Sequence, residues 1–162
     1  MREILFRGKR LDNGEWVEGN LVFSTDAEKG WGTIIIPSKG SDMYAGVKNL
    51  GFQRWYRVDP ETVCQFTGLT DKNGVKIWEN DFVRWDDDDE CISVIRYDAE
   101  TAAFVIDHYG INGCLMEYGW DETAGGFGKI ETNGFDDFCS LDFEVIGNIF
   151  DNPELMEGGV QE

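Results

Sequence analysis

Short apolar runs, separated by polar turns that carry glycine, recur along the whole chain. The first is Ile4-Leu5-Phe6, followed by Asp12-Asn13-Gly14 and then Trp16-Val17-Glu18-Gly19-Asn20-Leu21-Val22-Phe23. Asn-Gly between apolar runs predicts a hairpin, because both residues tolerate the positive φ of a type I′ turn. Trp16 and Glu18 then share one face of the second strand, with Glu15 and Val17 on the other. Thr33-Ile34-Ile35-Ile36, ended by Pro37, predicts a strand buried on both sides. Residues 38–53 are rich in Gly, Ser and Asn and predict a long loop. Arg54-Trp55-Tyr56-Arg57-Val58 returns to strand-like alternation, and Asp59-Pro60 marks a division between two modules.

The centre repeats the motif more tightly. Thr62 to Leu69 predicts a strand and Asp71-Lys72-Asn73-Gly74 a second Asn-Gly turn. Glu79-Asn80-Asp81 makes a third turn before Phe82-Val83-Arg84-Trp85. The run Asp86 to Glu90 is too charged to be buried and reads as a hairpin loop leading to Cys91–Tyr97. Ala102–Asp107 is a further strand. From Tyr109 to Asn133 the chain is glycine-rich and irregular, with Cys114-Leu115-Met116 as a short strand. Phe135–Cys139 predicts a helical turn, and Leu141–Phe150 a final strand stopped by Asp151-Asn152-Pro153. The acidic tail 154–162 is expected to be loose. The fold class is mostly β, built of short antiparallel strands and hairpins. Its expected organisation is an N-terminal β-hairpin module over 1–60, a core over 61–153 and the tail.

Composition sharpens this picture. The 162 residues are 41% hydrophobic and 14% aromatic, enough for a real core. With 32 Asp and Glu against 14 Lys and Arg, the formal net charge is -18. Such a field repels nucleic acid and anionic membranes. No apolar run reaches the roughly 20 residues of a membrane span. The polar start of the chain does not resemble a signal peptide, so a cytoplasmic location is expected. Cys64, Cys91, Cys114 and Cys139 are far apart, form no C-x-x-C pair and are read as small hydrophobes in a reducing cytosol.

Three segments carry a family resemblance. They are Arg2–Lys9 with Gly14–Gly19, then Thr62–Val83, and then Phe143-Glu144-Val145-Ile146-Gly147-Asn148-Ile149-Phe150-Asp151-Asn152-Pro153-Glu154-Leu155. In order and content they resemble the YopX-like proteins, a family carried by phages and prophages that has no established biochemical role. The resemblance implies a mostly-β fold with a small SH3-like barrel in the C-terminal part. It also implies a bacterial host cell. One position departs: Asn80 stands where the family usually has Gly. Asn is the next residue most able to adopt the left-handed conformation, so the turn is expected to survive. Phe66, Ile77, Trp78, Val83, Val145 and Ile149 are expected in core or half-buried positions. Asp71, Asn73, Glu79 and Asp81 are expected to bond backbone N–H groups in turns. The signature therefore reads as a folding element.

No catalytic template fits. The acidic run fails the EF-hand pattern, because Cys91 and Tyr97 stand where Gly and Glu are required. His108, the only histidine, has no recognisable partner for a triad or a zinc site. Gly125-Gly126-Phe127-Gly128-Lys129 lacks the first Gly and the final Ser or Thr of a phosphate loop, and Glu131 breaks the dinucleotide pattern. Arg54-Trp55-Tyr56-Arg57 and Arg84-Trp85 interleave cations with aromatics, and stacking within the protein is the expected use. No catalytic, cofactor or metal residue is assigned. The expected role is a non-catalytic module that binds a host or phage protein or copies of itself as a homo-oligomer. The alternatives are an acidic decoy of a host DNA-binding protein and an enzyme with an unrecognised carboxylate site.

Overall fold

The computed structural model describes residues 3–23, 32–40, 43–45, 50–85, 92–99, 102–108, 120–121, 126–127 and 143–157. It divides into two compact units, Met1–Phe66 and Thr67–Glu162.

In the first unit, β1 (Phe6–Lys9) and β2 (Trp16–Phe23) pair antiparallel, with Lys9 opposite Trp16 and Arg7 opposite Glu18. The Asn-Gly hairpin forms, but not through a type I′ turn. Only Gly14 has positive φ (+74°), and its N–H donates to the Arg10 carbonyl at 2.9 Å. The loop is wider than two residues because Arg10 and Glu15 still bond across it, which leaves four residues to turn the chain. β3 (Thr33–Pro37) flanks β2. Beyond β3 lies β6 (Tyr56–Arg57), shorter than the alternation suggests, with Val58 continuing it as a single bridge to Arg10. β7 (Cys64–Thr70) begins here, pairing Cys64 and Gln65 with β1, so the order is β6-β3-β2-β1-β7. Leu5, Ile35, Ile36, Val58, Cys64 and Phe66 are buried.

Asp59-Pro60 opens a 3-10 turn over Pro60–Thr62, with the Asp59 carboxylate accepting from Glu61 N. That turn presents the Thr62 hydroxyl to Lys9 N at 2.9 Å. The loop expected over 38–53 holds a small hairpin instead, β4 (Met43–Ala45) against β5 (Leu50–Phe52). Its strands are three residues each, too short for alternation to reveal.

In the second unit, the end of β7 pairs with β8 (Lys76–Trp78). Asp71 N donates to Val75 O and Gly74 N to Asp71 O, with Gly74 at φ +77°. This is a three-residue turn ending in a left-handed glycine. A four-stranded antiparallel sheet follows in the order β11-β10-β9-β14. Its strands are β9 (Asp81–Trp85), β10 (Ile92–Asp98), β11 (Ala103–His108) and β14 (Phe143–Asn148). Two-residue strands β12 (Trp120–Asp121) and β13 (Gly126–Phe127) pair separately.

Register places Val83, Ile95, Phe104, Ile106 and Phe143 on one face, where they form a core with Ile77 of β8, and Leu69 and Val145 pack against it. Each such burial contributes about 1.5–3 kcal/mol. On the opposite face Phe82 and Val94 are also fully buried, so the centre of the sheet is covered on both sides.

The fold is mostly β and antiparallel with almost no helix, and among the described residues the sheets are open. The tail expected to be loose begins with a short helix, α1 (Glu154–Glu157). The segments expected at Cys114–Met116 and Phe135–Cys139 lie outside the described residues.

Candidate functional site

Asp71 accepts three backbone hydrogen bonds, and only 1% of it is exposed. Its Oδ1 accepts from Asn73 N and from Val75 N, both at 2.8 Å, which ties the turn to its own carboxylate. Its Oδ2 accepts from Val145 N at 3.0 Å, 74 residues away. Lys72 N donates to the Phe143 carbonyl at 2.9 Å. The turn thus docks along the outer edge of β14 and satisfies one donor and one acceptor that an edge strand would leave open.

Beside this turn the Lys72 side chain meets charged groups of β14 and β9. Glu144 Oε2 lies 3.1 Å from Lys72 Nζ and 3.4 Å from Arg84 Nη2. The hydrogen bond from Lys72, and secondarily that from Arg84, hold the Glu144 carboxyl below its ordinary value of 4.5. A depressed carboxyl contributes stability above its unfolded value and loses it as pH falls through the folded one. Urea unfolding of Glu144→Gln is therefore expected to show lower stability than the parent at neutral pH, with the gap closing in acid below about pH 4. A gap that stayed constant with pH would contradict this role.

Of the other signature residues expected to cap turns, Asp81 does so with its side chain, whereas Asn73 enters its turn through its main-chain N–H, which donates to Asp71. Asp81, also 1% exposed, accepts from Trp78 N at 2.8 Å and closes the β8–β9 turn. Asn80 has φ of 66°, so the left-handed turn does survive with Asn in place of Gly. Its N–H donates to Ile95 O and its carbonyl accepts from Ile149 N. Asn148 Oδ1 takes the N–H groups of Phe150 and Asp151, both at 3.0 Å. Phe66, Ile77, Trp78 and Val83 are buried, and Val145 and Ile149 are half-buried, as the sequence led us to expect.

A second grouping lies in the first unit. The Arg7 guanidinium sits 4.6 Å and the Lys9 ammonium 5.5 Å from the Trp16 ring centroid. The hairpin register places them there, since Lys9 is opposite Trp16 and Arg7 one pair away on the same face. Arg10 stacks on Tyr56 at 4.0 Å and clasps Asp12 through two hydrogen bonds, which holds the Asp12 carboxyl below the ordinary range. Within the segment 54–57, Tyr56 thus stacks with a cation, Arg10, from just beyond the end of β1. Arg84 reaches Glu144.

Few of the residues weighed for chemistry come together. Cys64 is fully buried and its thiol donates to Thr62 O at 3.4 Å. His108 is the last residue of β11, opposite Ser93. Gly126 and Phe127 form β13. The run Asp86 to Glu90, Cys91, Cys114, Cys139 and Gly125, Gly128 and Lys129 lie outside the described residues. No helix among the described residues is long and apolar enough to cross a membrane.

The charge divides sharply between the units. Residues 1–66 hold nine Lys and Arg against nine Asp and Glu, whereas residues 67–162 hold five against 23. The whole net charge of -18 therefore belongs to the second unit.

The sequence profile of the YopX protein family matches residues 5–157, nearly the whole chain. The chain belongs to the YopX family. No curated protein matches it. Among solved structures, this YopX chain is similar to protein EF1440 from Enterococcus faecalis, known from a crystal structure. The two are 20% identical, the match covers 96% of this chain and 99% of that one, and the TM-score is 0.55. At that identity the likeness is one of fold. The YopX match spans the Asp71 turn, the Asn80 turn and the Asn148 turn alike, at each of which a polar side chain is bonded to backbone.

Proposed function

We propose that the protein is a non-catalytic, β-rich accessory module of phage or prophage origin that acts in the bacterial cytoplasm by binding a protein partner or copies of itself. The observation that carries this reading is the fate of the signature. Asp71, Asp81, Asn80 and Asn148, the polar residues a reactive site would draw on, are bonded into turns. The family pattern then preserves a scaffold, and function lies on the surfaces it presents. We read the second unit as an SH3-like barrel. The support for this is the Asp71 turn, which bonds to the open edge of β14 as a further strand would.

The charge division favours a second reading, in which the second unit is an acidic decoy for a DNA-binding protein. Two measurements test the pair. Sedimentation equilibrium of the pure protein reads self-association. Capture from host lysate, with and without DNase and at low and high salt, reads a partner. A stoichiometric partner that survives DNase and salt, or a defined oligomer, supports the binding module. A partner that DNA displaces and that salt releases supports the decoy. A monomer that captures nothing overturns both.

A further inference from the structure

We propose that Asn73-Gly74 is a site of spontaneous covalent modification, at which the asparagine amide converts to aspartate and isoaspartate while the matching Asn13-Gly14 turn is protected. The two sites form an internal comparison. Both glycines are left-handed, φ +77° and +74°. Both glycine N–H groups donate at 2.9 Å within their turns, Gly74 to Asp71 O and Gly14 to Arg10 O. Both have open space where a Cβ would stand. They differ in the asparagine amide.

Asn13 Oδ1 accepts from Glu15 N at 3.0 Å, and its Nδ2 donates to Glu15 Oε2 at 2.6 Å. Glu15 is itself held by Arg10, 3.6 Å away. The Asn13 side chain cannot turn its carbon toward Gly14 without breaking both bonds. The Asn73 side chain is exposed and its amide makes no hydrogen bond among the described residues, so it rotates freely.

The chemistry needs only water. The Gly74 nitrogen loses its proton to hydroxide and attacks Asn73 Cγ. The new C–N bond closes a five-membered succinimide, the Cγ–Nδ2 bond breaks, and ammonia leaves. Water then adds to one ring carbonyl, giving aspartate or, by opening on the other side, isoaspartate. One water is consumed and one ammonia released, with no change of oxidation state. Isoaspartate adds a methylene to the main chain and a negative charge to the loop. That loop aligns Gly74 N and Val75 N with Asp71, so conversion disturbs the same carboxylate that holds β14.

The test incubates the full chain in mildly alkaline buffer and follows each site by peptide mass mapping and isoaspartate methyltransferase labelling. Asn112-Gly113 and Asn133-Gly134 are tracked on separate peptides. Asn73 is expected to convert several-fold faster than Asn13, and the difference to vanish in the urea-unfolded chain. Glu15→Ala is expected to raise the Asn13 rate toward that of Asn73 and to leave Asn73 unchanged. Equal or faster conversion at Asn13 in the folded protein overturns the assignment. So does inertness at both sites when the unfolded chain reacts, or a Glu15→Ala protein, which loses the Nδ2 bond and keeps the one from the residue-15 N–H, in which Asn13 converts no faster than in the parent.

Discussion

Asp71→Ala should lower the stability of the protein by about 3–5 kcal/mol, because the substitution removes one acceptor from three backbone donors at once. A buried donor left unmade costs about 1–3 kcal/mol, and partial relaxation of the exposed end of the turn recovers some of the sum. The loss falls on two levels. Locally the turn loses the bonds that fix Asn73 and Val75. Across the unit, Val145 N loses its acceptor and β14 is left with an open edge. Asp71→Asn separates these effects. It keeps an oxygen for the turn and sets an amide donor against either the turn or Val145 N, so about half the loss is expected. Urea unfolding followed by tryptophan fluorescence reads the stability, and exchange of the Val145 amide reads the edge. An Asp71→Ala protein within about 1 kcal/mol of the parent would refute the role given to this carboxylate.

Gly19→Ala should cost about 2–4 kcal/mol. Gly19 lies in β2, between Phe6 of β1 and Pro37 of β3. An added Cβ would run into the Ile36 carbonyl oxygen, with the carbonyl carbon at 2.7 Å and Pro37 Cα at 2.8 Å. These are backbone atoms of a paired strand, and they can give way only by separating β2 from β3. Gly8→Ala is the informative control. The atoms nearest its Cβ would be those of the Val58 side chain, at 3.1 Å and beyond, a contact that small adjustments relieve. Unfolding midpoints should fall much further for Gly19→Ala than for Gly8→Ala. The reverse order would show that the crowding at Gly19 is relieved at little cost.

The local elements were legible because their signals are local. Asn13-Gly14 and Asn73-Gly74 both turn the chain where expected, and the register that follows puts Trp16 beside Lys9. The turn type at Gly14 was misread. It depends on whether Arg10 and Glu15 still pair, which their side chains and neighbours decide. The β4–β5 hairpin escaped notice because three residues cannot establish a period of two. What the sequence could not express is distance. Asp71 looks like a residue that caps its own turn, and it is one, but nothing around it announces Val145. The only trace is that the family resemblance carries both segments together, as it carries Asn80 with Ile149. The charge division was present in the residue order all along, yet it has meaning only once the boundary at Phe66 is known.

That boundary falls inside a strand. β7 gives Cys64 and Gln65 to a partner in the first unit and its later residues to β8 in the second. A joint between domains is usually a linker, where genes can be cut and rejoined without disturbing either side. Here a crossover at the joint would splice two half-strands from different parents. The offspring would keep both units only if the donated half continued the alternation and reached the same length. Exchange of units among relatives of this chain is therefore expected to break before Cys64 or after Val75, leaving β7 inherited whole.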